Sequence, residues 1–177
     1  LGAHVGSFEV LRSLAFAEPR LKVSVAMYPE NARRINQTLA AINPKAVQDI
    51  IALGQMESML RVNQALKEGA LVGILADRAV RADQSVALPF LGTPASFATG
   101  PFRLAALMKR PVYFMVGLYR GGNRYDVHFE LIHDPHTEPA LPRGDVVQSM
   151  LGRYVAALER HCRSAPYNWF NFFDFWR

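Results

Sequence analysis

The segment His4-Val5-Gly6-Ser7-Phe8-Glu9 sets an imidazole four intervening residues ahead of a carboxylate. Leu1-Gly2-Ala3 reads as the end of a strand, and Phe8 to Ala17 as the start of a helix that buries Val10, Leu11 and Leu14. His4 then stands at the strand-to-helix turn, with Glu9 about one turn into the helix. In that arrangement a carboxylate accepts a hydrogen bond from one imidazole nitrogen and fixes the other as an outward-facing base. With an unperturbed pKa of about 6.5, an imidazole is suited to taking a hydroxyl proton near neutral pH, an effect worth roughly 10²- to 10⁴-fold in rate. Gly6 allows a substrate to approach the backbone closely. Taken alone, the spacing also fits helix capping and ordinary surface polarity.

The elements around this pair alternate. Leu21 to Met27 is apolar at every other position and reads as a strand. Glu30 to Asn43 has Ile35, Leu39 and Ile42 on one helical face, and Pro44 ends it. A second helix is expected from about Lys45 and a third from about Met56 to Glu68, stopped by Gly69. Leu71 to Ala76 is a short apolar run, predicted to be a strand buried on both faces and ending in Asp77 and Arg78. Polar groups at the carboxyl end of such a strand are a usual seat of function in α/β folds. A loop punctuated by Gly and Pro, Leu88-Pro89-Phe90-Leu91-Gly92, is expected next. Thr99 then caps a helix to about Arg110, with Pro101 in its first turn. Val112 to Tyr119 and Tyr125 to Ile132 form a hairpin, and a last helix runs from Arg143-Gly144 to about Arg163. The pattern predicts a single α/β domain over 1–177, a mixed central sheet flanked by helices.

The His-x4-Glu motif, the strand ending in Asp77, the Leu88 to Gly92 loop, the Thr99-Gly100-Pro101 helix start and the Asn168-Trp169-Phe170 tail occur in that order. Together they resemble the bacterial lipid A biosynthesis acyltransferases, the lauroyl and myristoyl transferases, over nearly the whole chain. The resemblance implies a glycerolipid acyltransferase-like fold and an enzyme at the cytoplasmic face of the bacterial inner membrane. It implies an acyl carrier protein or coenzyme A thioester as donor, a glycolipid or related lipid as acceptor, and no cofactor. His4 matches the catalytic His, Glu9 its acidic partner, and Asp77 the acid after the third motif strand. The family also places a membrane-associated segment before the His motif, and this sequence starts at Leu1 without one or a methionine. In its second motif block the family commonly sets an Arg directly after a Tyr. Here Tyr28 is followed by Pro29 and Glu30, with Arg33 and Arg34 further on, so that arginine's role does not transfer to one residue.

On this reading Gly6, Asp77, Arg78, Phe90 and Gly92 contact substrate. Asp77 orders Arg78 or a substrate amide, and backbone N–H groups near Gly6 or the Arg78 side chain face the oxyanion. Phe8, Phe90, Leu91, Phe97 and Phe102 either line an acyl slot or belong to the core. The aromatic run from Tyr167 to Trp176 closes the core or dips into a membrane interface.

Several function classes are set aside. The net charge of +5 favours anionic partners such as lipid headgroups, a membrane surface or an acidic carrier protein. The arginines are scattered and no nucleic-acid motif is present, so nucleic acid is not expected as a partner. No apolar stretch reaches the roughly 18 residues that cross a bilayer. Cys162, the single cysteine, reads as a buried apolar residue. His133-Asp134-Pro135-His136 lacks a further ligand cluster and reads as a surface loop instead of a metal site, as do His128 and His161. A glycerolipid acyltransferase proper would carry His-x4-Asp and a later Pro-Glu-Gly-Thr-type phosphate motif, which is missing. A catalytically silent lipid-binding module and a hydrolase using the same His–Glu pair are the remaining alternatives.

Overall fold

The computed structural model describes residues 1–8, 10, 21–29, 49–78, 84–172 and 174–176. The chain divides into two compact units, Leu11–Ile74 and Leu1–Val10 with Leu75–Arg177.

In the Leu11–Ile74 unit, β1 (Val23–Met27) lies between β2 (Asp49–Ala52) and β3 (Leu71–Ile74), and both pairings are parallel. Parallel neighbours need a crossover, and α1 (Met56–Lys67) supplies the one from β2 to β3. Gly69, with φ of 81°, turns the chain out of the helix as its sequence position predicts. The strand at Asp49–Ala52 corrects the expectation of a helix running on from Lys45. Its Ile50-Ile51 pair is β-branched, and Ile51 is fully buried beside β1, which favours a strand over a short helix. The helix expected over 30–43 and residues 45–48 lie outside the described residues.

The second unit holds β4 (Ser85–Phe90), β5 (Thr93–Ala98), α2 (Gly100–Met108), β6 (Val112–Tyr119), β7 (Tyr125–His133) and α3 (Arg143–Ser164), followed by a 3₁₀ turn at Pro166–Asn168. The Leu88 to Gly92 segment, expected as a loop, is an antiparallel hairpin pairing Leu88 with Ala95 and Phe90 with Thr93. Leu91 and Gly92 form its two-residue turn, with φ of 53° and 94°. Positive φ at both central residues is the turn that suits strand twist, and a leucine at the first position hides that signal in the sequence. Pro89 sits opposite Pro94, so the facing pair donates no ladder hydrogen bond there. Parallel and antiparallel pairing, together with three α-helices among the described residues, make the protein α/β.

The core of this unit is built on α3, whose buried residues Met150, Leu151, Tyr154, Val155, Leu158 and Cys162 recur at three- and four-residue spacing. Tyr154 meets Phe102 at 5.2 Å and Phe114 at 5.4 Å between ring centroids. Its hydroxyl donates to the Gly2 carbonyl at 2.8 Å and so ties the helix to the segment that carries His4. Burial, and then the negative charge of Asp77, raises this hydroxyl's pKa well above its ordinary value, so it stays a donor. Tyr154→Phe is expected to lower stability by about 1 kcal/mol. For a chain of this length that is a drop of about 2–4 °C in a thermal melt with unchanged circular dichroism.

Candidate active site

Residues 1–6 run in strand-like fashion through the second unit. Gly2 bridges Leu75 in parallel, and the Ala76 N–H donates to the Gly2 carbonyl at 3.0 Å. On the opposite side Met115 N–H donates to the Leu1 carbonyl at 2.9 Å, and Gly6 bridges Gly117. His4 is where the segment changes partners. Before it the segment bonds to residues 75–76; after it, to the C-terminal tail, through Gly6 N–H to the Asn168 carbonyl at 2.7 Å and Phe170 N–H to the His4 carbonyl at 2.8 Å.

Asp77 follows directly on Ala76 and meets His4 at this change of partner. His4 Nδ1 lies 2.9 Å from Oδ1 and 3.0 Å from Oδ2 of Asp77, and the His4 backbone N–H donates to Oδ2 at 3.1 Å. The carboxylate is 1% exposed and the imidazole 31% exposed. A buried carboxylate needs donors, and His4 supplies both a ring N–H and a main-chain N–H. Donating from Nδ1–H to the carboxylate fixes the tautomer and leaves the lone pair on Nε2.

The turn past His4 is tight. Gly6 has φ of 65°, and a Cβ there would lie 2.0 Å from the Gly117 carbonyl oxygen. Ser7 N–H donates to that same oxygen at 2.8 Å. The amides of Gly6 and Ser7 are thus both engaged with carbonyls, which corrects the expectation that backbone N–H groups near Gly6 face the oxyanion. Gly6 is needed for close packing of two backbones, its neighbour being Gly117.

A cleft of about 440 Å³ opens beside this turn, lined by Gly6, Ser7, Phe8, Tyr119, Tyr125, Tyr167, Asn168 and Phe170. Of the aromatics assigned to an acyl slot or the core, Phe8 lines this cleft, whereas Phe90, Phe97 and Phe102 are wholly buried. Phe90 packs 5.6 Å from both Phe97 and Trp169, so it belongs to the core and not to an open substrate wall. Gly92 serves the hairpin turn and has open space around it. Arg78 donates through Nη2 to the Phe170 carbonyl at 3.2 Å, which fastens the tail near His4. Asp77, read from the sequence as a partner of Arg78 or a substrate amide, is brought instead to His4. Glu9, Arg33 and Arg34 lie outside the described residues, while Tyr28 is exposed.

The aromatic run from Tyr167 to Trp176 was expected either to close the core or to dip into a membrane interface. Trp169 and Phe175 enter the core, their rings 5.3 Å apart, while Tyr167 and Phe172 are 97% and 88% exposed. The aromatic run therefore divides between core and surface. The order Asn168-Trp169-Phe170 was visible in the sequence, but nothing local to it shows that it pairs with residues 4–6.

An imidazole held by a buried carboxylate, next to an aromatic-lined cleft, is general-base machinery for a hydroxyl or water. Residues 1–177 match the family model of the bacterial lipid A biosynthesis acyltransferases. The chain belongs to that family. No curated protein matches the chain. Membership makes the protein an acyltransferase of lipid A type, acting with an acyl donor and a lipid acceptor, in a family that is generally membrane-associated in bacteria. Among the described residues, no helix is long and apolar enough to cross a membrane, and no group of three or more His, Cys, Asp or Glu is arranged to hold a metal ion. His133 instead bonds Glu138 at 3.0 Å, and His161 bonds Glu130 at 2.6 Å.

Gly6→Ala combines a disfavoured φ with a backbone clash, and is expected to destabilise the acyltransferase by at least about 2 kcal/mol and to abolish turnover. Thermal melting and an acyl-transfer assay on the same preparation measure both. The Cys162 thiol is buried, and burial followed by the charges of Asp77 and Glu159 pushes its pKa up to about 12. It is expected to ignore a thiol-specific chromogenic reagent at pH 8 in the native protein, and to react fully once urea unfolds the chain.

Proposed function

We propose that the protein transfers a fatty acyl group from a thioester to a hydroxyl of a glycolipid acceptor, with His4 as general base and Asp77 as the carboxylate that orients it. The observation that carries this reading is the 2.9 Å contact between His4 Nδ1 and the buried Asp77 carboxylate, which leaves Nε2 as the free base. Nε2 takes the proton of the acceptor hydroxyl as its oxygen attacks the thioester carbonyl carbon. Asp77 stabilises the imidazolium that results. The tetrahedral intermediate then collapses, the C–S bond breaks, and the thiol of the carrier leaves with the proton returned from Nε2. No cofactor enters this sequence. The aromatic cleft beside Gly6 and Ser7 supports a substrate with an apolar portion.

The donor is an acyl chain on acyl carrier protein or coenzyme A; either carrier is anionic, which suits a chain of net charge +5. The reaction runs at the membrane surface, on the cytoplasmic face of the inner membrane, where both the carrier and a lipid acceptor are at hand. The His-x4-Glu motif assigns Glu9 to the imidazole, whereas the 2.9 Å contact supports Asp77 in the orienting role.

Steady-state transfer of a radiolabelled acyl group to a lipid extract tests the assignment. His4→Ala is expected to abolish turnover. Asp77→Asn is expected to lower kcat by about 10²- to 10⁴-fold, because an amide at that position favours the wrong tautomer. Wild-type turnover in His4→Ala ends the proposal. Full activity in Asp77→Asn together with a dead Glu9→Gln returns the orienting role to the motif acid.

A further inference from the structure

His4 is held from two sides, and only one of them is the carboxylate. The other is the tail segment at 168–170. Phe170 N–H donates to the His4 carbonyl at 2.8 Å, and the Asn168 carbonyl accepts from Gly6 N–H at 2.7 Å. Between them Trp169 points into the core, where its ring lies 5.6 Å from Phe90 and 5.3 Å from Phe175. A half-buried indole packed against the core fixes how deep the tail sits.

What sets the register is the Asn168 side chain. Tyr119 N–H donates to Oδ1 at 2.7 Å, and Nδ2 donates to the Tyr119 carbonyl at 3.4 Å. Tyr119 is the last residue of β6, so the amide of Asn168 bonds both main-chain groups there, as a neighbouring strand residue would. One residue thereby joins β6 through its side chain and the His4 segment through its backbone. We propose that Asn168 is a positioning residue for His4, acting through the register of the 168–170 segment against residues 4–6. The proposal rests on the reading of His4 as the general base.

The chemistry makes the consequence specific. If the tail slides, the His4 carbonyl loses its donor, the His4–Asp77 contact loosens, and Nε2 moves relative to the acceptor hydroxyl. A displacement of about 1 Å at a reacting group costs up to roughly 10²-fold in rate. Asn168 is one of the residues that line the cleft, but its side-chain amide is taken up by the Tyr119 main chain, so the loss falls on kcat more than on KM.

The test is Asn168→Ala in the full chain, read as kcat, KM and the thermal midpoint. The expected result is a 10- to 100-fold loss in kcat, with KM changed much less than kcat. Asn168→Asp keeps the acceptor for the shorter bond and is expected to recover at least tenfold over the alanine variant. Should the alanine variant not fold, Asn168→Ser carries the same readouts, its side chain being too short to bond both groups of Tyr119. Wild-type kcat, a loss of activity only in proportion to folded protein, or an Asn168→Asp variant no better than the alanine variant, overturns the proposal. The two readings fail separately: a dead His4→Ala beside a fully active Asn168→Ala removes only the role of Asn168, whereas an active His4→Ala removes the base itself.

Discussion

The Asp77 carboxylate is the constraint on which the site depends. It is almost fully buried, and an ionised carboxylate in such a place is costly unless donors surround it. Its donors come from one residue, the imidazole and the backbone N–H of His4. A single carboxylate therefore fixes the position of the His4 main chain and the tautomer of its ring together. The other ring nitrogen, Nε2, is left out of that pairing.

That pairing dictates much of the surrounding fold. For Asp77 to reach His4, the chain at 75–76 must run alongside residues 1–3, and the Gly2–Leu75 bridge achieves this. Gly2 in turn accepts from Tyr154, which carries the organisation of α3 and its aromatic partners back to the site. On the other side, the close approach of Gly6 to Gly117 needs two residues without side chains, since a Cβ on either meets backbone carbonyl oxygen within 3.0 Å. The turn past His4 is thus set by packing of main chain on main chain, and its amide hydrogens are used within the fold.

The aromatic residues divide according to what backs them. Phe90, Phe97, Trp169 and Phe175 interlock as tilted and edge-on pairs that fill the space beneath the β4–β5 hairpin and the tail. Tyr119, Tyr125, Tyr167 and Phe170 surround the cleft, where the tyrosines combine apolar faces with hydroxyl groups. An acyltransferase acting on lipids needs both: a rigid support under the base and an apolar-walled opening beside it.

Most element types in the described residues were legible in the sequence. The alternating apolar pattern marks β1, the helical spacing with a terminal Gly69 marks α1, and the β6–β7 hairpin and α3 follow from their own periodicities. The strand at Asp49–Ala52 and the β4–β5 hairpin did not show. The first is too short for a period to appear, and the second is masked by two prolines and a leucine in a turn where asparagine is the usual signal. The family was legible in residue order and spacing, and His4 and Asp77 stood out there as candidate residues. Which acid the imidazole touches was not, because His4 and Asp77 are 73 residues apart and no local pattern encodes a pairing across that distance. The same holds for the tail: its sequence announces aromatic residues, but only the folded chain decides that one indole is half-buried against the core, one tyrosine left exposed, and an asparagine amide spent on the end of a strand next to the base. Local sequence fixes backbone propensity and apolar periodicity, while partners brought together by burial are chosen by the fold as a whole.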